Sequence, residues 1–222
     1  MKLDFYFVHG WGFDKSFWYQ VGKKFEDDSL SRNLKILDLG FISEENYFNN
    51  EFLKNDSKSI FIVHSYGLNW FLKKQIKCKL LINFFGAPSF LKFQENPNIT
   101  KKIMVKMVEK FPFDPSGVLK DFYKKCNVFY DENIEIDVDK CLVSLKELLD
   151  EDLTKNFNNL NCKVFSIFSK NDNILNLNNN FIKLKKKNHN INFVPNLEHG
   201  FPKNCPELCY EMIKKILIRN LS

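Results

Sequence analysis

One segment constrains this chain more than any other. Ser59-Ile60-Phe61-Ile62-Val63 is a short run of β-branched and aromatic residues, and it leads through His64 into Ser65, Tyr66 and Gly67. Such a run reads as a strand buried on both faces, and the pattern from Tyr66 to Ile76 reads as a helix. A serine at so tight a strand-to-helix turn is forced into a strained backbone conformation, and its hydroxyl is pushed out over the sheet edge. Strand and helix cross closely there, so small residues are wanted two positions to either side. Gly67 satisfies this on one side. Val63 departs from it on the other, leaving V-x-S-x-G in place of G-x-S-x-G.

The surrounding pattern extends the theme. Leu3 to Val8, Leu34 to Leu39, Lys79 to Phe85, Lys163 to Ser169 and Ile191 to Val194 read as further strands. Helices are expected from an Asp14 cap through Phe25, weakly over Glu44 to Lys54, over Leu175 to Lys187 and over Pro206 to Asn220. This β-α-β alternation predicts an α/β fold, a mostly parallel sheet with helices on both faces. From Ala87 to Lys155 the strand signal lapses. Ile99 to Lys110, Gly117 to Cys126 and Val138 to Leu149 have helical periodicity, punctuated by Pro97, Pro112 and Pro115. The expected organisation is a core of residues 1–86 and 156–222 interrupted by a small helical cap insertion over 87–155. The length of 222 residues and an apolar share of 44% suit one such domain.

Two other strand ends carry chemistry-bearing residues. Asp172 follows the strand ending near Ser169, and His199 sits between the last strand and the last helix. Ser65, Asp172 and His199 thus occur in the chain order of a nucleophile elbow with its acid and base, each at the carboxyl end of a strand. Glu198 and Asp150 are rival acids, but Glu198 adjoins His199 and Asp150 falls in the helical block. An acyl-transfer site also needs peptide N–H donors for an oxyanion. Trp11, in the turn His9-Gly10-Trp11-Gly12 after the first strand, and Tyr66, after the nucleophile, are assigned that role. His9 is expected to satisfy backbone groups, His64 to point away from the Ser65 hydroxyl, and His189 to lie in a loop.

Composition narrows the remaining classes. The net charge of +6 is modest, and no basic run interleaved with aromatics marks a nucleic-acid groove. Lys185-Lys186-Lys187 reads as a solvated helix end. The six cysteines show no zinc-module spacing, although Cys205 and Cys209 are four apart and near His199; reduced, buried thiols are expected and no metal. No signal-peptide pattern and no membrane-length apolar stretch is seen, which predicts a soluble, cytoplasmic, monomeric protein.

These residues resemble the α/β-hydrolase superfamily. Within it they look most like the pimeloyl-carrier-protein methyl ester esterases of biotin synthesis. The resemblance rests on His9 to Gly12 with Trp18 shortly after, on Gly86-Ala87-Pro88-Ser89-Phe90, on Leu145 to Leu153 and on His199 to Ile218. It implies a Ser65-Asp172-His199 triad, Trp11 and Tyr66 at the oxyanion, and hydrolysis of an ester on a carrier-linked acyl chain without a metal or organic cofactor. Lys101, Lys102, Lys106, Lys110, Lys124 and Lys125 in the helical block suit an acidic acyl carrier protein as partner. The short loop Asp38-Leu39-Gly40-Phe41 and Val63 depart from the family pattern. Three readings therefore stand beside this one: a general short-chain carboxylesterase, a thioesterase, and a binding module on a degenerate hydrolase fold.

Overall fold

The computed structural model describes residues 3–28, 31–42, 59–184 and 188–221. The helix expected over 44–54 and the lysines at 185–187 lie outside them. Six strands, β1 (Leu3–Val8), β2 (Ser31–Leu37), β3 (Ser59–His64), β4 (Leu80–Phe84), β5 (Lys163–Phe168) and β6 (His189–Phe193), form one sheet in the order β2-β1-β3-β4-β5-β6. Every pairing is parallel. All the strands therefore end on the same edge, and the segments leaving that edge meet there.

Alternation along the central strands sorts side chains between two faces. Phe5, Phe7, Ile60, Ile62, Leu80 and Ile82 pack on one face. There they meet Val21 and Phe25 of α1 (Tyr19–Glu26) and Cys209, Ile213 and Leu217 of α9 (Pro206–Leu221). Tyr6, Val8, Phe61, Val63 and Leu81 pack on the other, against Leu68, Phe71 and Leu72 of α2 (Tyr66–Lys73) and Phe157 of α6 (Thr154–Asn158). Burial on both faces is why these strands read as continuous apolar runs. Among the described residues no helix is long and apolar enough to cross a membrane.

Between β4 and β5 the chain leaves the sheet and forms α3 (Pro97–Lys110), α4 (Pro115–Lys125) and α5 (Val138–Asp150) before α6. Pro97 and Pro115 occupy first-turn positions, where a missing N–H costs nothing. Asp114 and Asp137 cap α4 and α5 through side-chain bonds to the Gly117 and Lys140 N–H groups.

Several local expectations need correction. Asp14 caps a 3₁₀ turn over Lys15–Trp18, and α1 follows it. β2 starts three residues early because its polar beginning still pairs with β1, where Asn33 bonds to the Asp4 carboxylate at 2.8 Å. Of the helix expected over Leu175 to Lys187, the described residues form only α7 (Asn179–Ile182). Ile174 and Leu175 give their N–H groups to Asp172, and Asn176 gives its own to Gln94, so residues 174–176 are held as a loop. His189 is not in a loop; it opens β6, buried, with its ring 4.8 Å from that of Phe157. The last helix, α9 (Pro206–Leu221), is found where it was expected, and a short α8 (Phe201–Asn204) precedes it across Cys205.

Candidate active site

Ser65 follows the last residue of β3 directly and precedes the first residue of α2. Its φ of 50° and ψ of −121° place it in a region non-glycine residues rarely enter. Hydrogen bonds on both sides hold it there. Its N–H donates to the Phe84 carbonyl at 2.9 Å, and its carbonyl accepts from Leu68 N–H at 3.0 Å. Two glycines make the turn possible. A Cβ on Gly67 would stand 2.8 Å from the His9 carbonyl oxygen and 2.9 Å from that of Val8, so α2 crosses the end of β1 with no room for a side chain. A Cβ on Gly10 would stand 2.9 Å from Ser65 Cβ, which brings the turn after β1 directly against the serine. Val63 is accommodated because its fully buried side chain turns to the α2 face and joins Val8, Leu68 and Phe71.

His199 has no exposed surface and lies in the turn after β6. Its Nδ1 is 2.8 Å from Asp172 Oδ2, and its Nε2 is 3.0 Å from Ser65 Oγ. A carboxylate accepts only, so Nδ1 carries the proton and Nε2 presents its lone pair to the serine hydroxyl. Asp172 is itself fixed, since its Oδ1 accepts from Ile174 N–H at 2.7 Å and Leu175 N–H at 3.0 Å. The loops that carry Asp172 and His199 are also joined to each other. Ser169 Oγ accepts from the N–H groups of Asn171 and Leu197, at 3.1 and 3.2 Å. The His199 loop is further tied to the end of α4 by Gly200 N–H, which donates to the Cys126 carbonyl at 2.9 Å.

The structure thus brings Ser65, Asp172 and His199 into one hydrogen-bonded chain. Of the two rival acids, Glu198 bonds instead to the Asn127 side chain, and Asp150 lies in the last turn of α5. Tyr66 is the first residue of α2, where helical N–H groups lack an intrahelical acceptor and the helix dipole favours negative charge. Trp11 follows Gly10 beside the serine. His9 accepts from Leu39 N–H through Nε2 and donates to the Gly10 carbonyl through Nδ1, both at 2.9 Å, which braces the turn after β1. Tyr123 of α4 adds a bond from its hydroxyl to the Gly12 carbonyl at 2.8 Å.

A cleft of about 470 Å³ opens at the serine. Its walls include Trp11, Met104, Met107, Leu145 and Ile174, and Lys106, Lys110 and Lys125 also line it. Lys110 is paired with Asp114 at 2.9 Å. All six cysteines are free thiols; Cys209 is buried and Cys205 exposed. Among the described residues no group of three or more His, Cys, Asp or Glu side chains is placed to hold a metal ion.

Some functional contacts left no mark in the sequence. His64 donates from Nε2 to the His199 carbonyl at 2.9 Å, and the Trp11 indole and the Tyr66 phenol both bond to α5. These partners are far apart in the chain, and no local pattern announces them.

No protein-family model matches the chain, and no curated protein matches it. Solved structures do. An esterase from Exiguobacterium antarcticum aligns over 97% of this chain and 92% of its own, with a TM-score of 0.74 at 13% identity. A bromoperoxidase from Bacillus anthracis aligns over 98% and 92%, with a TM-score of 0.77 at 11% identity. MenH from S. aureus aligns over 99% and 95%, with a TM-score of 0.66 at 14% identity. The parallel sheet, its order and these likenesses establish the α/β-hydrolase fold.

Proposed function

We propose that this chain is a serine-dependent carboxylic ester hydrolase in which Ser65 is the nucleophile, His199 the general base and acid, and Asp172 the residue that orients the base. The observation that carries the reading is the continuous relay of 2.8 and 3.0 Å from Asp172 through His199 to Ser65, set on a strained strand-to-helix turn. A fold alone does not assign chemistry; what supports this reading is a serine, histidine and aspartate held in the order that such a reaction needs.

The chemistry follows from the protons. His199 Nε2 takes the Ser65 proton as Oγ attacks the ester carbonyl carbon, and the imidazolium so formed is stabilised by Asp172. Negative charge collects on the carbonyl oxygen, facing the peptide N–H groups of Trp11 and Tyr66. The tetrahedral species collapses, His199 gives its proton to the departing alkoxide, and an acyl-serine remains. Water then attacks the acyl carbon, giving its proton to His199, and the acid is released as Oγ regains a proton.

Within this reaction class, the substrate we favour is the methyl ester of a carrier-linked pimeloyl chain, as in biotin biosynthesis. The largely apolar cleft suits an extended acyl chain, and Lys101, Lys102, Lys106, Lys124 and Lys125 stand exposed on α3 and α4, where an acidic acyl carrier protein would meet them.

Parallel steady-state kinetics on the carrier-linked methyl ester and on a free ester of equal chain length test both levels. The expected result is a higher kcat/KM for the carrier-linked ester, an advantage that shrinks as salt screens the surface charges, with a fluorophosphonate label on Ser65. Equal values without salt dependence would favour a general carboxylesterase, and faster turnover of the matching thioester a thioesterase. Absence of both turnover and label would mark a binding module.

A further inference from the structure

The two residues assigned to the oxyanion share an anchor. Trp11 Nε1 donates to the Cys141 carbonyl at 2.8 Å, and the Tyr66 hydroxyl donates to Glu147 Oε2. Both acceptors belong to α5, six residues apart, a separation of about 9 Å at the rise of an α-helix. In sequence the contacts span 130 and 81 residues. The turn after β1 and the start of α2 come from different parts of the sheet, yet one helix holds the side chain of each.

The Tyr66 arm is the more tightly built. The Tyr66 side chain is nearly buried, with its ring edge-on to Phe41 at 5.7 Å. Phe41 is in turn held by α5, since its carbonyl accepts from Asp137 N–H at 3.0 Å and from Cys141 Sγ at 3.5 Å. Glu147 is shared with Lys73 at the far end of α2, where Nζ lies 2.6 Å from Oε1 and 3.1 Å from Glu151 Oε1. Helix α2 therefore grips α5 at its first and last residues. Burial, and then the Glu147 carboxylate, hold the Tyr66 hydroxyl well above its ordinary pKa, so it stays a donor at any working pH. A buried phenol left without its acceptor would pay desolvation for nothing, and relief comes by moving the residue. The moving residue would carry its own N–H with it.

We propose that Glu147 is a positioning residue: through the Tyr66 hydroxyl it fixes the first turn of α2, and with it the Tyr66 N–H, against the ester carbonyl oxygen that becomes charged when Ser65 attacks. The proposal rests on the hydrolase reading. It makes α5 a structural part of the oxyanion site as well as a wall of the cleft.

The test uses the whole protein and any ester it turns over. Tyr66→Phe keeps the ring and its packing on Phe41 and loses only the hydroxyl; Glu147→Ala loses the acceptor; Glu147→Gln keeps an oxygen acceptor. Tyr66→Phe and Glu147→Ala should each lower kcat about tenfold with KM within about twofold, a smaller loss than the hundredfold or more that follows removal of an oxyanion donor outright. The fluorophosphonate labelling rate should fall in step, because attack on phosphorus, with fluoride leaving, also loads charge on an oxygen at that position. Glu147→Gln should recover most of the loss. The double variant Tyr66→Phe/Glu147→Ala should be no slower than the slower single variant, since both break one bond. Thermal unfolding of each variant shows whether it is folded, and Tyr66→Phe carries the test should Glu147→Ala fail to fold. Single variants within twofold of the parent in kcat, a loss confined to KM, or losses that multiply in the double variant would overturn the proposal and leave the hydrolase reading intact. A parent that neither hydrolyses esters nor takes the label would overturn both.

Discussion

His64 Nε2 stands 2.9 Å from the His199 carbonyl oxygen, so the residue before Ser65 holds the backbone of His199. The His64 ring is fully buried, stacked on Phe17 at 4.4 Å and edge-on to His199 at 4.8 Å. Burial, reinforced by the neighbouring His199 and His9 rings, holds its pKa well below the ordinary histidine value of 6.5. The neutral ring donates through Nε2, and Nδ1 has no hydrogen-bond partner among the described residues. In the unfolded chain His64 takes up a proton as pH falls through about 6.5, while in the fold it does not; stability is therefore full above that pH and declines below it. Between pH 7 and 5 the parent should lose Tm more steeply than His64→Gln, which keeps a donor and does not titrate. Thermal unfolding at several pH values decides this; parallel curves would mean that His64 is not the group responsible.

Ser65→Ala should fold like the parent and lose at least roughly a thousandfold in ester hydrolysis, the scale of losing a nucleophile whose partners act as a unit. Ser65→Gly should be equally inactive but more stable than Ser65→Ala. The φ of 50° costs an L-residue on the order of 1–3 kcal/mol, more than the backbone entropy that glycine adds. Urea unfolding of the two variants measures the difference, and equal stabilities would show that the turn is not strained.

Asp172→Asn should lower kcat by roughly a thousandfold or more with the fold retained. An asparagine oxygen in the Oδ1 position still accepts from Ile174 and Leu175. Its amide then faces His199 and donates to Nδ1, which leaves the proton on Nε2, where it cannot accept from Ser65. Asp172→Glu should fail differently, by displacing the imidazole. Turnover of Asp172→Asn within tenfold of the parent would assign the orienting role elsewhere.

Val63→Gly tests whether the departure from the usual elbow matters to chemistry. The side chain is buried among Val8, Leu68 and Phe71, away from the relay. Its removal should cost roughly 2–4 kcal/mol from the lost packing and the added backbone freedom, with kcat within tenfold of the parent. A normal unfolding midpoint combined with lost turnover would give Val63 a role in the reaction.

What the sequence made legible follows from how each part is held. β1, β3, β4 and β5 were readable because burial on both faces demands an apolar run. Ser65 and Asp172 stood out because each follows such a run, and His199 because it sits between the last strand and the last helix. β6 was harder, since His189, Asn190 and Asn192 give it no apolar run. The loop at 174–176 reads as helix from local periodicity, but bonds to Asp172 and Gln94 override that preference. The tethers from Trp11 to Cys141 and from Tyr66 to Glu147 were invisible for another reason. Neither acceptor differs in type from dozens of others, and one of them is a main-chain carbonyl.

The placement of the helical excursion separates two things that selection acts on. β4 and β5 are neighbouring parallel strands, so the chain between Phe84 and Lys163 leaves the sheet at one edge and rejoins it at the other. Doubling the length of such a detour adds only about 0.6 kcal/mol of closure entropy, and the sheet below is nearly indifferent to what the detour contains. Not every part of it is equally free, because α4 and α5 carry the bonds to Gly12, Gly200, Trp11 and Tyr66. α3 contributes Met104, Lys106 and Met107 to the cleft wall. A lineage could thus change its diet by rewriting α3 and keep the same knife.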